Sequence, residues 1–185
     1  MNPTEQLSQI IPALQGLVGT IWHGQLESPT PCEDFDVHGV IDHMIVVGGT
    51  FAPMFRGETP TTVVAPFVYG WVPAKEFSAT MDDLLAAVQS PGALERTIPS
   101  PFGEVPGETF ARFVAVDGLL HGWDLAQATG QTWAPAAELV EAVEAFALVA
   151  ITPEMRAAGA FKPALPAPAD ATPLERLVAF SGRAT

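Results

Sequence analysis

The chain has one cysteine, Cys32, one tyrosine, and only 8 Lys and Arg residues against 21 Asp and Glu. A single cysteine cannot close an internal disulfide, which sets aside the disulfide-stapled secreted scaffolds and makes a cytoplasmic location the expectation. The formal net charge of −13 repels phosphate backbones, so nucleic acid is not expected as a partner. No basic amphipathic stretch suits a membrane surface. Nor does any run approach the ~20 uninterrupted apolar residues that a membrane helix requires. The opening residues, MNPTEQLSQIIPALQ, carry neither the basic region nor the cleavage site of a secretory signal. GxSxG is absent, no Ser-His-Asp or Cys-His arrangement is legible, and FGEVPG at 102–107 lacks the lysine and the preceding strand of a phosphate loop.

What is present is apolar: 48% hydrophobic residues and only 16% charged, over 185 residues. That suits one domain with a sizeable core. Leu7, Ile10, Ile11, Leu14, Leu17, Val18 and Ile21 recur at spacings of three and four and predict a helix from Thr4 to Leu26. Asp36 caps a second predicted helix, Val37 to Phe55, whose apolar side includes His43. Residues 57–73 read as a loop or short turn. A third helix is expected over Ala74–Gln89, a fourth over Glu108–Ala128 with Gly130 as its stop, and a fifth over Pro135–Ala150. A short extended piece is expected at Glu95–Ile98. Residues 151–185 form a Pro/Ala-rich tail, irregular to Pro173, with a final helix LERLVAF packing on the body. No run alternates as a sheet requires. The fold class is all-α, a four-helix bundle with long crossover connections, in a single domain over residues 1–185.

One stripe is out of character for a core. VDGLLHGWDLAQATG, residues 116–130, places Asp117, His121 and Asp124 at i, i+4 and i+7, within about 60° of one another on the helix. Phe110, Phe113 and Val114 share that side. Burying an unpaired carboxylate costs several kcal/mol, so these groups need partners or a cavity. Asp117 and His121 are placed to hold a divalent cation, with His43 of the second helix as a third ligand, and three protein ligands leave a position open. The same residues also fit a buried ion pair with His43 as a hydrogen-bonded core histidine. His23 and His38 read as surface residues. Cys32 reads as structural, because the following EDFD run raises a thiol pKa.

TPCEDFDVHGVIDHM, followed some way on by VDGLLHGWDLAQATG and near the end by LERLVAFSGR, resembles the DinB-like superfamily. The likeness is to the branch related to the N-terminal domain of mycothiol-dependent maleylpyruvate isomerase, and it spans nearly the whole chain. The resemblance implies a DinB-like four-helix bundle with a divalent metal, typically zinc or nickel, held between helices. Its metal ligands fall on His43, Asp117 and His121, with Asp117 standing where the isomerase has glutamate. The resemblance further implies a metal-dependent thiol S-transferase using mycothiol or another low-molecular-weight thiol against an apolar electrophile. Asp124 is then the candidate for a catalytic role, orienting a ligand or the bound thiol. Trp123 reads at least as readily as a packing residue as it does as a cosubstrate contact, and Phe110, Phe113 and Trp123 are candidate walls for the apolar electrophile. Arg56 and Arg112 are the arginines nearest the predicted elements. Two rival readings stay open: a non-catalytic metal or small-ligand binding module, and a structural bundle with a satisfied polar triad. A homodimer is compatible with each.

Overall fold

A computed structural model describes residues 1–61, 72–100 and 103–184. The described residues form helices α1 (Pro3–Val18), α2 (Val37–Arg56), α3 (Ala74–Val88), α4 (Gly107–Thr129), α5 (Ala137–Ala150), α6 (Pro153–Ala157) and α7 (Pro173–Phe180). A 3-10 turn at His23–Gln25 precedes α2, and strands β1 (Thr97–Ser100) and β2 (Gly103–Pro106) precede α4. None of these helices is long and apolar enough to cross a membrane.

The four longest helices share one core. Gly118 of α4 lies against Ile10 and Leu14 of α1, and Thr20 beyond α1 bonds Gln131 beyond α4, so these two helices run the same way. Helix α2 opposes α4, because His43 meets Asp117 while Phe51, further along α2, meets Phe110, earlier on α4. Helix α3 opposes α1, with Gln15 on Ser78 and Ser8 on Gln89. Thus α2 and α3 run in the same direction as packed neighbours. The expected loop over 57–73 falls largely on residues 62–71, outside the described residues.

Helix α1 stops at Val18 rather than Leu26. Gly19 and Thr20 are poor helix formers, and the Thr20 hydroxyl donates to the Leu17 carbonyl at 2.9 Å, competing with the helical ladder. Asp36 does cap α2, accepting from the Gly39 amide at 2.7 Å, and Gly130 ends α4 with φ 68°. The expectation of no sheet is corrected by the small antiparallel hairpin β1–β2, in which Ile98 pairs with Val105. Its pleat buries Ile98 while leaving Thr97 and Pro99 outside. Two prolines and only four residues per strand leave too little alternation for the pattern to show in sequence. Of the FGEVPG segment, residues 103–106 form β2 itself and Gly107 opens α4.

The tail is more ordered than its composition suggests. Helix α6 forms within it, capped by Thr152, and α7 begins with a capping box between Thr172 and Glu175. Leu177 and Val178 of α7 join the main core. Arg176 holds Glu144 of α5 with two bonds of 2.8 and 2.7 Å.

Candidate metal centre

The site forms where α2 crosses α4. The i, i+4 spacing puts Asp117 and His121 one above the other on α4, and the opposed α2 brings His43 across to them. His43 Nε2 lies 3.4 Å from Asp117 Oδ1, and His121 Nε2 lies 3.5 Å from the same oxygen. The two imidazoles are 4.9 Å apart between ring centroids. Such distances are long for strong hydrogen bonds. They match the separation, about 3.4 Å, of two donors each bound at about 2.1 Å to one tetrahedral cation. One ligand atom from each of the three residues lies within 4.8 Å of the others. The donor set of two imidazoles and a carboxylate suits a divalent transition metal.

The second nitrogen of His121 is already committed. Nδ1 lies 2.9 Å from Asp124 Oδ2, and Asp124 is wholly buried. Arg183 closes the chain of contacts, with Nε 2.8 Å from Asp124 Oδ1 and Nη2 2.9 Å from Oδ2. A carboxylate fixed in this way is placed to accept from Nδ1, and the Nε2 edge of the ring faces Asp117 and His43.

The electrostatics follow the geometry. Burial pushes the Asp117 carboxyl up, but His121, His43 and Arg183 outweigh it and hold it below the usual carboxylate range. For His43, burial works to lower the pKa, yet the hydrogen bond and charge of Asp117 raise it above the ordinary value against the opposition of Arg183. Accessibility is uneven: the side chain of His121 retains 7%, His43 27% and Asp117 36%. His43 and Asp117 therefore open outward, while His121 forms the inner wall.

Phe35, just before α2, lies tilted over His43 with centroids 5.4 Å apart and edge-on to His121 at 6.3 Å. Its loop is fixed by Thr30, whose hydroxyl donates to the Phe35 carbonyl at 2.6 Å, and by an ion pair between Glu33 and Lys162. The same loop brings Cys32 beside the site, where its sulfur forms a second compact donor group with His121 and Asp124. The Cys32 thiol is pushed up, chiefly by burial, with Arg183 opposing and Asp124 adding to the rise. A cation in this second group must displace a guanidinium from Asp124; in the His43, Asp117 and His121 group it displaces none.

Other sequence candidates lie elsewhere. Trp123 belongs to the hydrophobic core, about 120° around α4 from Asp117. Phe110 packs on Phe51 and Phe55, and Phe113 on Phe146 of α5. Arg56 pairs with Asp83 and Arg112 with Glu108. His23 stacks edge-on with Trp22 at the surface. His38 is half-buried rather than on the surface, 3.6 Å from Asp42. Asp124 makes its polar contacts with His121 and Arg183. Sequence reasoning missed Phe35, Arg183 and the proximity of Cys32. The only available signal was their place in the TPCEDFD and SGR segments.

No family model and no solved structure matches the chain. Two curated proteins of Mycobacterium tuberculosis do: the uncharacterized protein MT0763 of strain CDC 1551 / Oshkosh and the uncharacterized protein Rv0738 of strain ATCC 25618 / H37Rv. Each is 32% identical over 191 residues, an alignment covering 99% of this chain and 98% of the relative. At that identity over the full length, the chain belongs to the family of MT0763 and Rv0738.

Proposed function

We propose that this protein is a divalent-metal-binding helical bundle of DinB type that uses its metal to transfer a low-molecular-weight thiol, mycothiol or a relative of it, to an apolar electrophile. The observation that carries the metal reading is the convergence of His43 Nε2 and His121 Nε2 on one oxygen of Asp117. The thiol and DinB parts rest on the likeness of the TPCEDFDVHGVIDHM and HGWDLAQATG segments to the mycothiol-dependent branch.

A bound divalent cation would lower the pKa of a thiol ligand and supply a thiolate at neutral pH. The chain's own residues do the rest. His43 and Asp117, the more accessible ligands, border the open side where a small thiol enters. Phe35 offers an apolar face there for the electrophile. His121, clamped through Asp124, keeps the inner ligand from turning. In the transfer, the thiol S–H bond breaks and its proton is released to solvent, the sulfur forms a bond to the electrophilic carbon, and the bond from that carbon to its leaving group breaks, the leaving group departing with the electron pair.

The test is thiol consumption by zinc- or nickel-loaded protein with an apolar electrophile, followed by mass detection of the thioether. Turnover is expected in the native chain and loss of it in His121→Ala. Full activity in that variant would overturn the proposal.

A further inference from the structure

The segment from α6 onward looks like an accessory tail, yet four of the chain's 8 basic residues lie between positions 156 and 183. Lys162 pairs with Glu33 on the loop that carries Cys32 and Phe35, and Arg176 with Glu144 on α5. Arg156 packs over the Phe180 ring at 4.7 Å and bonds the Phe180 carbonyl at 2.9 Å. Arg183 reaches Asp124.

We infer that Arg183 is a positioning residue for the metal centre, selecting through Asp124 the tautomer in which His121 can bind a cation. This rests on the metal reading above. A guanidinium is planar and binds a carboxylate in a two-pronged fork, so it fixes the plane of the carboxylate as well as its place. Nε and Nη2 take one Asp124 oxygen each, and Nη1 is anchored on Ser181 Oγ at 3.1 Å. With the carboxylate plane set, Oδ2 meets His121 Nδ1 at 2.9 Å, and Nε2 is left to face the other ligands. The positive charge of Arg183 also balances wholly buried Asp124. A lysine supplies the charge without the fork.

The experiment compares the native chain with Arg183→Gln and Arg183→Lys. Nitrogen-15 shifts of the His121 ring are read in metal-free protein, and cobalt(II) affinity and visible spectra in loaded protein. The native ring is expected to show one tautomer, protonated on Nδ1. Arg183→Gln is expected to mix tautomers and weaken cobalt binding about 10- to 100-fold; Arg183→Lys should fall between, with an altered cobalt spectrum. Unchanged His121 shifts and unchanged cobalt affinity in Arg183→Gln would overturn the inference while leaving the metal site standing. Tautomer mixing in a chain that binds no metal would support the positioning role and remove the metal reading.

Discussion

Arg183 holds Asp124 by two N–H···O bonds of 2.8 and 2.9 Å across 59 residues of sequence. Asp124 is wholly buried and the Arg183 side chain retains 12% of its accessibility, so each is the other's main compensation for lost water. Removing one partner of such a pair strands a buried charge, which typically costs 3–5 kcal/mol. Asp124→Ala is therefore expected to lower unfolding free energy by about that much, measured by urea denaturation of metal-free protein. A loss below about 1 kcal/mol, the ordinary value of a surface pair, would show that the pair is wet in solution.

Metal-free stability should depend on pH through Asp117 and His43. Asp117 is held below its ordinary value, so its contribution is present above about 3.9, the unfolded carboxyl value, and is lost as pH falls through the folded one. His43 is raised, so its contribution is complete below about 6.5 and is lost as pH rises through its folded value. The pair therefore stabilises the apo-protein most between about pH 4 and 6.5. Melting temperatures across pH 4 to 9 should show a decline on the alkaline side that His43→Gln flattens. An identical alkaline slope in the variant would contradict this.

Metal binding runs the opposite way along the pH axis. A cation must expel the proton that Asp117 helps His43 retain, so affinity should weaken with falling pH starting above His43's ordinary value of about 6.5. Zinc competition titrations between pH 5.5 and 8 measure this, and an affinity that does not change over that range would exclude His43 as a ligand.

Gly122, next to His121, lies under the Trp133 indole: a Cβ there would fall 2.4 Å from Cζ2, and Trp133 Nε1 donates to the Leu119 carbonyl at 3.1 Å. Alanine gains about 1 kcal/mol of helix propensity, but a rigid indole forced off its seat costs about 1–3 kcal/mol. Gly122→Ala should thus destabilise on balance. Gly16, with nothing within 4 Å of an added Cβ, is the control: alanine there should stabilise by about 0.5–1 kcal/mol. Urea midpoints of the two variants should move in opposite directions.

The legible parts of the site were those governed by helical period. Asp117 and His121 share a face because of their spacing, and His43 was identifiable as a polar residue on the apolar side of α2. Arg183 was not, since a tail arginine far along the chain carries no periodic mark of its partner. Cys32 and Phe35 sit on a loop whose path is fixed by Thr30 bonds and a Pro29–Asp36 bridge, which spacing cannot express. Among the helices, α2 and α4 showed their ends through Asp36 and Gly130. The C-terminus of α1 was overextended because Ile21 and Leu26 are buried and continue its apolar rhythm after the backbone has left the helix.

The most direct measurement is the metal content of untagged protein purified without chelator, beside His43→Ala and His121→Ala, with circular dichroism on all three. The expected result is about one equivalent of a divalent transition metal in the native chain, lost in both variants while the helices remain. A native chain that stays metal-free after incubation with zinc and with nickel would contradict the metal centre and leave the stripe on α4 as a buried polar network.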